Sequence, residues 1–125
     1  MERLFGEVKN LLDKERGGQS LFGLVNNAGI AIPPMAILDV PEEKLLNIIH
    51  INTLGMWRMT KCFFPLLEKK AVDKACIVNV TSVAGLVAAP FNGAYSMSKF
   101  AAEVRSLPNT HYTTQPNTTF VGIYG

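Results

Sequence analysis

Asn79–Lys99, NVTSVAGLVAAPFNGAYSMSK, is the stretch whose reading decides the fold. It opens at the end of a short apolar run, Ala75 to Val80, whose length and composition fit a buried strand. Thr81 and Ser82 stand where that strand emerges, and a loop containing glycine, proline and asparagine follows. Tyr95 and Lys99 lie four residues apart in a segment that reads as helix, so their side chains share one face. A hydroxyl at a strand mouth, a phenol and an ammonium can then converge on one substrate oxygen. That is a proton-transfer site in outline.

Upstream lies a second short apolar run, Leu21 to Val25, followed at once by Asn26-Asn27-Ala28-Gly29. Small and polar residues at the C-terminal end of a strand suit a ligand crevice in an open α/β sheet. They suit a plain turn equally well, since Asn and Gly are ordinary turn residues. Between the two strands, Pro33-Pro34 keeps Ile30 to Val40 a loop, and Pro41 fits a first helical turn. Glu42 and Glu43 there are favourable near the positive end of the helix dipole. Leu45, Ile48, Ile49, Asn52, Met56, Met59, Phe63 and Leu66 recur at helical spacing as far as Lys70, with Gly55 and Pro65 bending one long helix. Asn52 is the odd member of this stripe. A buried amide needs partners, so it either bonds backbone at a kink or holds water in a site. His50 and Trp57 read as core or flank residues.

Leu4, Val8, Leu11 and Leu12 predict an amphipathic helix over about residues 2–16, stopped by Gly17-Gly18. The order helix, strand, helix, strand, helix argues for βαβ units and a parallel sheet, hence an α/β fold. From Leu107 and Pro108 the chain turns polar and turn-rich, with Thr119 to Tyr124 reading as one last strand.

A chain of 125 residues accommodates one small domain with a real core. Apolar content of 48% and charged content of 18% exclude a disordered segment. A net charge of +2 from scattered basic residues argues against nucleic acid or a membrane surface as partner. No stretch approaches the ~20 apolar residues of a membrane span, and MERLFGEVKNLLDKERGG lacks the apolar centre of a signal peptide. Cys62 and Cys76 form neither a CxxC nor a metal-ligand spacing, and both read as reduced core thiols. Of the two sequons, at Asn79 and Asn117, the first ends a buried strand and makes a poor acceptor. The expectation is a reduced, intracellular protein, cytoplasmic and without metal.

Taken together, these motifs resemble the short-chain dehydrogenases/reductases. Asn26-Asn27-Ala28-Gly29 follows a strand, and Asn52 precedes Gly55 on the long helix. Ser82 stands thirteen residues before Tyr95, and Tyr95-Ser96-Met97-Ser98-Lys99 fits the family's YxxxK. The match runs from the N-terminus to about Arg105, and LVNNAGI with its flanking loop looks closest to the retinol, steroid and 3-hydroxybutyrate enzymes.

The resemblance implies an incomplete Rossmann-like, doubly wound parallel sheet in three α/β/α layers. It implies hydride transfer between NAD or NADP and a small hydrophobic alcohol or ketone. Tyr95 would be the general acid/base; a phenol with an ordinary pKa near ~10 needs a nearby positive charge to act at neutral pH. Lys99 would supply that charge and hold the nicotinamide ribose. Ser82 would stabilise charge on the substrate oxygen, and Asn52 would hold a water linking Lys99 to solvent. Asn26, Asn27, Ala28 and Gly29 would line the adenosine side of the cofactor, and a homodimer would form through the long helix and the Tyr95 helix. A membrane-associated parent enzyme is compatible with the same resemblance.

The chain departs from the family's pattern at two places. The glycine-rich turn TGxxxGxG, its strand and helix, and the charged residue that selects NAD or NADP do not occur in it. The family's next strand with a Pro-Gly cofactor loop is not recognisable after Pro108. Residues 1–105 therefore read as the central part of such a domain, and 106–125 as a divergent polar tail. An incomplete sheet exposes an edge and apolar helix faces, which predicts an isolated chain that is unstable, aggregates or relies on a partner. The alternative reading is a non-catalytic fragment serving as a dimerisation or binding partner. An α/β-hydrolase reading lacks its GxSxG elbow.

Overall fold

Three parallel strands carry the architecture: β1 (Gly23–Asn26), β2 (Ala75–Thr81) and β3 (Thr118–Tyr124), hydrogen-bonded in the order β1-β2-β3. The computed structural model describes residues 1–15, 21–67, 75–103 and 118–124. Among these residues, four α-helices accompany the sheet, α1 (Glu2–Glu15), α2 (Glu42–Ile49), α3 (Met56–Leu67) and α4 (Gly93–Glu103). Parallel strands with intervening helices are the α/β class that the alternating apolar segments imply.

β2 sits between both neighbours, with Asn26 in register with Asn79 and Thr81 with Tyr124. Its side chains alternate between full and partial burial, and Ile77 is completely enclosed. Because all three strands run the same way, their C-terminal ends, Asn26, Thr81 and Tyr124, open at one end of the sheet. The strand expected from Leu21 starts two residues later and extends through Asn26. The last strand, expected from Thr119, is present from Thr118.

One apolar cluster gathers Leu12 of α1 with Phe63 and Leu66 of α3, and Phe5 meets Phe63 with ring centroids 5.9 Å apart. A second joins Leu67, Ala75 and Ile77 between α3 and β2. Leu21 and Leu24, at the approach to β1 and within it, pack against both. Each fully buried aliphatic side chain contributes roughly 1.5–3 kcal/mol, so these clusters decide where α3 lies. Cys62 and Cys76 are free and half-buried, Cys62 against the first cluster.

The single long helix expected from Leu45 onward is instead α2, a π-helical turn (His50–Gly55) and α3. The π turn adds a residue within an otherwise helical run, and such turns are frequent at functional sites. Pro65 does not end α3. It removes one amide donor near the helix end, and the buried Leu66 and Leu67 anchor the turn around it. His50 and Trp57 are exposed, as flank residues, with the Lys61 ammonium 5.0 Å from the Trp57 ring centroid.

The edge at β1 is apolar and open: Phe22 is 74% and Val25 63% exposed. Among the described residues no helix is long and apolar enough to cross a membrane, and no cluster of His, Cys, Asp and Glu could hold a metal ion. The expected stop at Gly17-Gly18, the helix end at Lys70, the break at Pro108 and the sequon at Asn117 lie outside the described residues.

Candidate active site

Asn26 ends β1 with its amide turned inward, donating to Asn79 Oδ1 at 2.9 Å and to Thr60 Oγ1 at 3.1 Å. This ties the mouths of β1 and β2 together and both to α3. The chain that follows, Asn27-Ala28-Gly29, is exposed. Asn27 and Gly29, with Ile30 and Ala31, form one wall of a cavity of about 330 Å³. Val80 and Thr81 from β2, and Tyr95 and Lys99 from α4, form the rest. A second hollow of about 290 Å³ is lined by Val25, Asn26, Asn27 and Ala28 with His50, Met56 and Met59.

Lys99 is 6% exposed, unusually buried for a lysine. Its Nζ donates to the Val80 carbonyl at 3.2 Å and lies 5.7 Å from the Tyr95 ring centroid. The pair that reads as i, i+4 on one helix face does meet, and a positive charge stands beside the phenol ring. A Cβ added to Gly29 would lie 3.4 Å from Asn52 Oδ1 and 3.6 Å from Lys99 Nζ. The bare Cα of Gly29 therefore leaves an open approach to the ammonium, which carries three N–H donors.

Ser82 follows β2 in extended backbone and caps the short 3₁₀ turn Val83–Gly85, its Oγ accepting from Ala84 N at 3.2 Å. It is buried and stands next to Thr81, the hydroxyl residue that lines the cavity. Thr81 Oγ1 donates to the Ile123 carbonyl at 3.1 Å, joining β2 to β3. The 3₁₀ turn sits directly on α4: a Cβ at Gly85 would fall 2.8 Å from the Lys99 carbonyl oxygen. Only a glycine permits this approach, and it brings the strand mouth against the turn that carries Lys99.

Asn52, 1% exposed, lies in the π turn, and of the two alternatives it takes backbone partners. Its Oδ1 accepts from Ile30 N and its Nδ2 donates to Ile30 O, both at 2.8 Å, and Nδ2 also donates to Ser98 Oγ at 3.0 Å. The amide clamps the loop after β1 to α4. Thr60, Thr81 and Ser98 thus belong to the site's framework, although none carries a motif that singles it out. Their signal in the sequence is only that small hydroxyl residues stand on otherwise apolar segments.

At the far end of α4, Glu103 is buried, with Oε2 accepting from Tyr124 OH at 3.4 Å and Oε1 unpartnered among the described residues. The charge of Glu103 holds the Tyr124 phenol above its usual range, with smaller contributions from burial and the hydrogen bond itself.

Mouse retinol dehydrogenase 5 is 41% identical over 96 residues, covering 74% of this chain and 28% of its own length. Human 17-beta-hydroxysteroid dehydrogenase type 6 is 37% identical over 90 residues, covering 72% of this chain and 27% of its own length. The matched segment thus spans about a quarter of these curated relatives. Among solved structures, an alcohol dehydrogenase from Thermococcus sibiricus complexed with 5-hydroxy-NADP aligns with a TM-score of 0.76 and 28% identity, over 98% of this chain and 48% of that one. The landomycin C-6 ketoreductase with bound NADP and rabelomycin aligns with a TM-score of 0.80 and 26% identity, over 97% and 47%. The sequence pattern described as short chain dehydrogenase matches residues 4–111, most of the molecule, and the chain belongs to that family.

Proposed function

We propose that this chain provides the proton-transfer part of an NAD(P)-dependent oxidoreductase that interconverts a small hydrophobic alcohol and its ketone at the CH–OH carbon. The observation that carries the reading is the shared cavity: Tyr95 and Lys99 line it together with Asn27 and Gly29. The open approach at Gly29 fits the ribose side of a dinucleotide, with Lys99 as donor to the ribose hydroxyls and Asn27 beside it. The archaeal alcohol dehydrogenase complexed with 5-hydroxy-NADP and the ketoreductase with bound NADP support the same assignment. Both dinucleotides remain candidates.

Lys99 and Asn27 would hold a nicotinamide dinucleotide, which would supply or take up the hydride at the substrate carbon. The residues of this chain handle the proton and the charge. Tyr95 gives its hydroxyl proton to the ketone oxygen as the alcohol forms, or takes it back in the reverse direction. Lys99 sets a cation beside the phenol, and the Val80 carbonyl holds that cation in place. Ser82, at the mouth of β2, donates its O–H to the same substrate oxygen while its Oγ accepts from the Ala84 amide. Asn52 serves through the position of Ile30 and α4, which its amide clamps together.

The test is direct: the chain is incubated with NAD(H) or NADP(H) and a panel of secondary alcohols and ketones, and nicotinamide absorbance is followed. Turnover that depends on the added dinucleotide supports the reading. Absence of both turnover and dinucleotide binding overturns the reading.

Exposed apolar residues on two helices, Trp57 on α3 and Met97 and Phe100 on α4, favour self-association through these helices. Sedimentation across a concentration series should show a dimer that Phe100→Glu dissociates; a monomer at every concentration removes this second proposal.

A further inference from the structure

Ser98 is completely buried, and its hydroxyl has no part in the chemistry described so far. It donates to the Tyr95 carbonyl at 2.7 Å and accepts from Asn52 Nδ2 at 3.0 Å. Its own carbonyl accepts from Thr53 Oγ1 at 3.1 Å. Two consecutive residues of the π turn therefore grip one residue of α4, one by the side chain and one by the backbone.

A serine that bonds back to a carbonyl in the preceding turn is ordinary in helices. Here the same hydroxyl is also filled from a different element, by an amide that is itself immobilised on Ile30 through two bonds of 2.8 Å. The result is a continuous path, Ile30 to Asn52 to Ser98 to Tyr95. In a regular helix the Tyr95 carbonyl also accepts the amide of Lys99. The Ser98 hydroxyl therefore acts on the one peptide group that belongs to Tyr95 and faces the Lys99 backbone. Ile30, at the other end, is part of the cavity wall.

We propose that Ser98 is a positioning residue, fixing the helical turn that bears Tyr95 and Lys99 against the π turn and, through Asn52, against Ile30 in the cavity wall. Its importance for turnover rests on the reading of Tyr95 and Lys99 as the reacting pair; the mechanical coupling does not. A displacement of the phenol by a fraction of an ångström changes its distance to the substrate oxygen while leaving the rest of the binding surface intact. The loss then falls on kcat, about 10-fold or more, with KM little changed.

The experiment uses the full chain with ¹³C-labelled tyrosine, the Tyr95 ring signals being identified by Tyr95→Phe. The ring lies 5.7 Å from Lys99 Nζ, so its resonances report the placement of the pair. Ser98→Ala and, independently, Thr53→Val are expected to move the Tyr95 ring signals and leave those of Tyr124 in place. Ser98→Thr, which keeps the hydroxyl, returns them toward the wild-type position. Asn52→Ala moves them less in the Ser98→Ala background than in wild type, the sign of a shared path. Tyr95 signals unmoved in the Ser98→Ala and Thr53→Val chains, or fully additive displacements in the double variant, overturn the proposal. If Ser98→Ala does not fold, Thr53→Val still tests the grip of the π turn on Ser98, through the bond to its carbonyl. A wild-type chain without turnover counts against the functional reading and leaves this measurement intact.

Discussion

Tyr95→Phe is expected to lower kcat by about 10²–10⁴-fold, the usual contribution of a positioned acid/base group, while the melting temperature barely moves. The substitution removes one oxygen atom and keeps the half-buried ring, its packing and its contact with the Lys99 ammonium. Dinucleotide affinity should change little, because Lys99, Asn27 and Gly29 are untouched. Lys99→Met supplies the contrast. It removes the cation from both the phenol and the dinucleotide side of the cavity, so affinity and turnover fall together. Steady-state kinetics on the two variants, with thermal melts as folding controls, separate the roles. Turnover that survives in Tyr95→Phe would remove the phenol from the reaction.

Asn52→Ala should cost about 2–4 kcal/mol of stability, from three lost bonds of ~1 kcal/mol each and the burial of an unpaired Ile30 amide. Against the roughly 5–15 kcal/mol total of a typical domain, that is a large fraction for one polar residue on an apolar stripe. Asn52→Asp is the sharper variant. A carboxylate still accepts from Ile30 N but cannot donate to Ile30 O or Ser98 Oγ, and it brings a charge into a site that is 1% exposed. Urea unfolding should therefore rank wild type above Asn52→Ala and place Asn52→Asp no higher than the alanine variant. A loss below ~1 kcal/mol for Asn52→Ala would show that the clamp contributes little more than one ordinary hydrogen bond.

The short-range pattern alone determined the class of fold and the central pair of the site. Short apolar runs and period-3.6 apolar spacing are local properties, so Leu24, Ile77 and the Phe63–Leu66 stripe were legible as strand and helix residues. The spacing of Tyr95 and Lys99 is equally local, because four residues on a helix face meet whatever surrounds them. Only the tertiary structure decided what the buried polar groups bond. Asn52 could have held water or backbone, and its partners Ile30 and Ser98 lie 22 and 46 residues away. Asn26 could have faced solvent and instead bridges two strands to Thr60. The π turn was hidden for a related reason: spacings of three and four residues tolerate one extra residue, so apolar periodicity does not register the insertion. Sequence spacing sets which side chains share a face; the choice of hydrogen-bond partner across elements follows from packing, which no local window contains.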